Sequence, residues 1–502
     1  MNYETLIADS RLAFVNGQSG KAFELAKEAI KIAPEEAEGY KAAADACMSL
    51  ENYALAADYY KNAVKCDPKN GNRYFNYGYA LAACEKTADA LKALTRADEL
   101  GCSQETTAQL YHLLGIICFD IRKFDDSLIN LKKAEQIMGP DIEVLQRMAV
   151  IYGLKEDVRN GIFVANQMKL ISPSDYTGYK TAFKFLCQIK KYKEAAFELR
   201  KASKYANISM DYYFDLMTYE LEMYNQTKDK SYFEKALMHL DESLKNIKPS
   251  VKEVAETYIN AAEIYLQLEK AEETINCLNA SLNPVESFNL GFNIIPKEVE
   301  SKELTEYDVE EMLEEDRQKI EENLGIDGVM ELAESIEPDE EGGRDYFTVL
   351  DFENETKEEK EKFRLDPSEK YSFSPELNDQ ISTLFIGAYT LLKDYENIKT
   401  YAQKLQSSKN QYSVYMGKYT YAKALKEQGS DKTESYYDEL IRYLKNALLK
   451  DPTDFAAVTY RVRCLIDMQR FDEAEELSGL LSKDMGAGLI DEIKRAKSGG
   501  EA

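Results

Sequence analysis

One motif returns along this chain at a spacing of 34 residues. Residues 51–68 read ENYALAADYYKNAVKCDP and residues 17–34 read GQSGKAFELAKEAIKIAP. A third copy, DELIRYLKNALLKDP, stands at 438–452. Each is an amphipathic helix in which small and large apolar residues alternate before a closing proline or aspartate–proline pair. A unit this short cannot bury its own apolar face. Neighbouring copies must cover it, so the chain folds as an array rather than around one central core. With 502 residues it is also too long for a single ordinary core.

The register can be set on Ala37 as position 1. Tyr40, Ala43, Ala44 and Cys47 then take positions 4, 7, 8 and 11, and Ala56, Tyr60, Ala63 and Pro68 take 20, 24, 27 and 32. Later units open at Gly71, Ala108, Ile142 and Tyr176, with one slip of three residues before Ala108. Their markers include Gly78, Leu94 and Ala97; Gly115, Ser127, Leu131 and Ala134; Ala149, Gly161 and Ala165; and Ala182, Ala195, Leu199 and Ala202. A first unit from about Tyr3 keeps Gly17, Ala22, Ala26, Ala29 and Pro34, but its first helix matches poorly. Beyond residue 205 the copies loosen, at about 210–246, 255–283, 379–408, 413–452 and 455–485. The unit at 413–452 carries an expected enlarged turn, KEQGSDKTESYY.

This pattern resembles the tetratricopeptide repeat family at nearly every marker position. The resemblance implies two antiparallel helices per unit, touching closely at positions 8 and 20, so that only Ala, Gly or Ser fits there. It implies an all-α, right-handed superhelical α-solenoid of about eleven repeats, covering roughly 80% of the chain. The expected organisation is an array over 1–283, an acidic insert over 284–375, a second array over 376–490 and a flexible tail over 491–502.

The insert holds 29 acidic and 10 basic residues, a net charge of −19 out of −27 for the whole protein. It reads as a solvated insertion, a lid or a docking element. Within it TEYDVEEMLEEDRQKIEENLG and VMELAESI have helical spacing, and YFTVLDF is strand-like or a docking peptide. Ser374 and Pro375 restart the helices as a cap and an N1 proline. Charge of this sign repels nucleic acid and anionic membranes, so neither is expected as a partner. No apolar run is long enough to span a bilayer, and the first residues do not read as a signal peptide. The eight cysteines form no C-x-x-C pair, which suits a reducing, cytoplasmic setting.

No catalytic motif is found, and no metal or cofactor is expected. The chain has only two histidines, His112 and His239. Cys47 and Cys118 fall at position 11, an interior position. The family implies that positions 2, 5, 9 and 12 of each first helix line a concave groove. Phe75, Tyr79, His112, Ile116 and Phe119 would then form an apolar and aromatic strip there. Some relatives hold a carboxylate-terminated peptide with a Lys/Asn/Asn/Lys/Arg clamp. Lys41 and Asn76 match its first and third places, but Asp45, Gln109 and Leu113 occupy the others, which puts the clamp in doubt. Lys180 and Lys184 would sit together on the sixth unit's inner face. The expected function is a non-catalytic scaffold that binds a peptide or partner helix in the groove, possibly gated by the insert. The alternatives are a self-associating assembly subunit and a regulatory partner of a separate enzyme.

Overall fold

The computed structural model describes residues 2–295, 363–479 and 483–498. It divides into two compact units, Met1–Tyr212 and Tyr213–Ala502. The first holds α1 (Tyr3–Val15), α2 (Ser19–Ile32), α3 (Ala37–Ser49), α4 (Tyr53–Cys66), α5 (Gly71–Ala83), α6 (Thr87–Leu100) and α7 (Gln104–Asp120). It continues with α8 (Phe124–Met138), α9 (Ile142–Leu154), α10 (Val158–Ile171), α11 (Tyr176–Gln188) and α12 (Tyr192–Tyr205). The boundary falls inside α13 (Met210–Thr227).

The second unit continues with α14 (Ser231–Asn246), α15 (Val251–Gln267), α16 (Ala271–Leu282), the short α17 (Pro284–Asn289), α18 (Pro375–Leu391) and α19 (Tyr395–Gln406). It ends with α20 (Gln411–Glu427), α21 (Thr433–Lys450), α22 (Phe455–Asp467), α23 (Phe471–Ser478) and α24 (Lys483–Lys497). Among the described residues every element is helical. Within the first unit α1 to α12 pack in series, and within the second α14 to α24 do so, which is the all-α array of tetratricopeptide-like repeats that the register implies.

The close contact between paired helices is where the spacing puts it. A Cβ on Gly78 would lie 2.7 Å from the Leu94 side chain, and one on Gly115 would lie 2.6 Å from Leu131. Ser127, at position 20, is fully buried and donates its hydroxyl to the Gly115 carbonyl at 2.7 Å, across that contact. Leu94, Leu131 and Leu199, all at position 24, are essentially fully buried. Each contributes about 1.5–3 kcal/mol by leaving water. The first repeat obeys the same rule despite its poor sequence match. Ser10, at position 8, is buried and donates to the Ala22 carbonyl at 2.8 Å. A serine there was harder to read than alanine or glycine, but it fits the same space.

The turn between paired helices is also uniform. Position 15 has a left-handed backbone in each of the first six repeats: Gly17, Glu51, Glu85, Arg122, Glu156 and Lys190, with φ between 55° and 72°. The next amide then closes the helix five residues back, as in Lys86 N–H to Leu81 O at 3.0 Å.

The turn expected to be enlarged at 426–437 is enlarged, with five residues at 428–432 against three in the first repeats, but it is narrower than that stretch. α20 runs to Glu427 and α21 starts at Thr433, so most of that stretch is helix, and Gly429 supplies the positive φ, +67°. Ser374 caps α18 through the Leu377 amide at 3.2 Å, with Pro375 at N1. The described ends of the acidic segment lie against the array. α17 packs on α15 and α16, and α18 stacks on the same two helices. Stacking therefore passes directly from α16 to α18. The helical and strand-like motifs expected between 305 and 352 lie outside the described residues. α24 extends through the first part of the 491–502 stretch, with Leu489 and Ile493 buried in the core of the second unit.

Candidate protein-binding surface

Five first helices, α3, α5, α7, α9 and α11, carry the candidate surface at register positions 5 and 9. Position 9 is Asp45, Tyr79, Ile116, Val150 and Lys184. Position 5 is Lys41, Phe75, His112, Gln146 and Lys180. Tyr79 is 50% exposed and Val150 51%, while Ile116 is half-buried. The strip is therefore apolar in its middle and charged at both ends. Val150 was not singled out from the sequence, although its position 9 was the available signal.

Phe75 belongs less to the surface than to the core. It is buried among Leu81, Leu94 and Leu110, and presents its ring to Tyr79 at 6.3 Å. Tyr79 is the exposed member of that pair. Asn76 and His112 are half-buried, and His112 Nε2 is buried without a hydrogen-bond partner among the described residues. Phe119 packs edge-on to Phe124 at 5.9 Å, bracing α7 against α8.

The two charged ends differ. Lys41 is bound to Asp45 at 2.6 Å, and the Tyr60 hydroxyl donates to the same carboxylate at 2.5 Å. Burial and the nearby Asp45 charge push the Tyr60 hydroxyl well above its ordinary range, so it stays a donor. An aspartate in place of the clamp's first asparagine thus neutralises the one lysine that matched. At the other end Lys180 pairs with Asp211 at 2.7 Å, and Lys184 is exposed. Beside Lys180 lies a polar cleft of about 420 Å³, lined by Ser172, Asp175, Thr177 and Asp211.

Burial raises the thiols of Cys47 to about 11 and Cys277 to about 12, and Cys118 and Cys464 shift in the same direction. Thiols held this way are poor nucleophiles near neutral pH. Among the described residues no cluster of three or more His, Cys, Asp or Glu side chains could hold a metal ion. Among them, too, no helix is long and apolar enough to cross a membrane.

The chain is similar to solved tetratricopeptide repeat proteins. YrrB, described as a TPR protein with an unusual peptide-binding site, is 18% identical over 35% of this chain and 90% of its own, with a TM-score of 0.33. PilF of Pseudomonas aeruginosa is 15% identical over 46% of this chain and 95% of its own, with a TM-score of 0.34. A structure of Naa15/Naa10 bound to HypK-THB aligns with 96% of this chain and 68% of the matched one, at 13% identity and a TM-score of 0.36. No protein-family model and no curated protein sequence matches the chain. The assignment of fold rests on the chain's own register and helix pairing.

Proposed function

We propose that this protein is a non-catalytic interaction scaffold that docks a peptide or partner helix along the first helices of its N-terminal unit. The observation that carries this reading is the position 9 column, which leaves the large side chains of Tyr79 and Val150 half in water on either side of the half-buried Ile116, in three successive repeats. Lys184 and the Lys180–Asp211 pair bound it at one end, and the Lys41–Asp45 pair at the other. A ligand with an apolar middle and polar ends fits that order. Asn76 and His112 supply polar atoms beside the apolar column, and Phe75 and Phe119 hold its base.

The test is a pull-down from native lysate with the full chain, beside Tyr79→Glu and Val150→Glu. A protein captured by the full chain and lost from both variants supports the reading. Equal capture by all three overturns it. Gating by the acidic segment is a separate part of the proposal. Its test removes 296–362 alone, leaving the packed residues 284–295 and 363–375 in place. Better capture by that deletion supports a gate, whereas unchanged capture removes it. The alternative, a self-associating assembly subunit, predicts a stable oligomer by sedimentation of the full chain.

A further inference from the structure

The opposite side of the N-terminal unit carries a second apolar column that the groove reading does not use. Ser127, Gly161 and Ala195 are small residues on the buried faces of α8, α10 and α12, Ser127 against Gly115 and Gly161 against the Phe185 ring of α11. Two residues further on stand Ile129, Phe163 and Phe197. A step of two residues turns a helix by about 200°, so these side chains face away from the paired helix. They are 54%, 59% and 48% exposed. The same register position in the second and third repeats is Asp58 and Lys92, so the column begins at the fourth repeat. Leu170, two turns after Phe163, is 82% exposed and widens it.

Cations flank this column. One turn either side of it stand Lys132, Lys133, Arg159, Lys193, Arg200 and Lys201 against Asp125, Asp126 and Glu194, so the border is basic in balance. Lys201 and Arg200 lie over the Phe197 ring at 4.4 and 5.9 Å. This basic border is set in a protein of net charge −27, so it is a local feature and not the general character of the surface.

We propose that Ile129, Phe163 and Phe197 form a second docking surface, for an acidic amphipathic helix of a partner protein. The apolar face of that helix would lie along the column and its carboxylates against Lys132, Arg159 and Arg200. This inference stands apart from the groove and survives if the groove binds nothing.

The experiment uses the full chain and a fluorescein-labelled amphipathic peptide with leucines on one face and glutamates on the other, followed by anisotropy. Binding is expected at low salt and should weaken as salt rises. Phe163→Ser and Phe197→Ser together should weaken it by at least about tenfold, as loss of aromatic anchors does. Both rings are half-exposed, so the thermal transition should hold. If that variant unfolds, Lys132→Glu with Arg200→Glu should produce a comparable loss. Tyr79→Glu should leave binding unchanged. No binding, binding untouched by either pair of substitutions, or loss with Tyr79→Glu overturns the proposal. So does equal affinity for a peptide with lysine in place of glutamate, or sedimentation showing that the column instead joins two copies of the chain.

Discussion

In Met1–Tyr212 the six helix pairs turn at one register position, and the first five carry Ser, Gly or Ala at both contact positions, the sixth keeping Ala195 but placing Phe183 at the other. In Tyr213–Ala502 helix lengths scatter, from 6 residues in α17 and 8 in α23 to 18 in α21, against 13 to 17 in α1–α12. Polar side chains then bridge what the spacing no longer fixes. Tyr437 donates to Asp467 and Tyr415 to Asp454, each at 2.8 Å, and Asp215, Glu220 and Asp241 are buried. The strict repeat is fixed mainly by shape, although it too bonds Tyr60 to Asp45 and holds Lys169 against the buried Glu198 at 2.6 Å. An irregular one recruits directional bonds and charges, and with them a dependence on pH.

The largest expected effect attacks the shape-fitted unit. Gly115→Leu forces a side chain against Leu131 and should cost about 1–3 kcal/mol by overpacking. Urea denaturation should show the loss in the N-terminal unit, with the transition of the C-terminal unit unmoved. A variant as stable as the parent would mean that the α7–α8 contact is looser than its geometry.

Next comes the bonded unit, where the ends of the acidic segment are pinned. Asn289 donates to the Leu365 carbonyl and accepts from the Leu365 amide, both at 3.0 Å, and Leu365 is buried. Ile294 is held by the Asp241 carboxylate at 3.2 Å and the Tyr265 hydroxyl at 2.8 Å, while Phe292 sits edge-on to Tyr258. Asn289→Ala leaves the Leu365 groups without that partner, at a cost of about 1–3 kcal/mol. Trypsin should cut faster at Arg364 and Lys370, with the α16–α18 stack intact. Unchanged cleavage would show that apolar burial alone holds this strand of chain.

The charges supply the third contrast. His239 lies 3.5 Å from Glu220 and 3.6 Å from Glu242, and burial opposes its charge. The two carboxylates outweigh burial and raise it from 6.5 to about 9. A raised pKa stabilises the fold fully below 6.5, and that contribution is lost as pH climbs through about 9. The C-terminal unit should therefore melt lower at pH 9.5 than at pH 6 by a margin that His239→Gln removes. Buried tyrosines do not share this window, since burial moves them upward, away from it.

Legibility in the sequence followed the same divide. Where one small residue decides whether two helices fit, as at Gly115 or Ala56, the spacing reveals the contact. The pinned flanks were hidden, because Asn289 meets Leu365 only after a long detour of chain and no period records it. The surface was half legible. Tyr79 and Ile116 follow from register, but Phe75, one turn earlier on the same helix, points into the core. An aromatic residue alone does not say which. The column of Ile129, Phe163 and Phe197 is hidden because the same position holds Asp58 and Lys92 in the earlier repeats, so no period marks it.

The turns escaped for another reason, and they give the smallest expected effect. A left-handed position usually advertises itself as glycine, yet Glu51, Glu85, Arg122, Glu156 and Lys190 hold it here. Left-handed backbone costs a residue with a Cβ roughly 1–2 kcal/mol, which the surrounding packing overrides. Glu85→Gly removes that cost and adds freedom to the unfolded chain, so the net gain should be a fraction of it. Gly17 performs the same turn in the first repeat, so Gly17→Glu should run the change in reverse with a loss of similar size. A gain with Glu85→Gly and a loss with Gly17→Glu in thermal melts would show that the turn geometry is imposed by the helix pair. A loss with Glu85→Gly and a gain with Gly17→Glu would mean that the charged residue contributes more than its backbone strain removes.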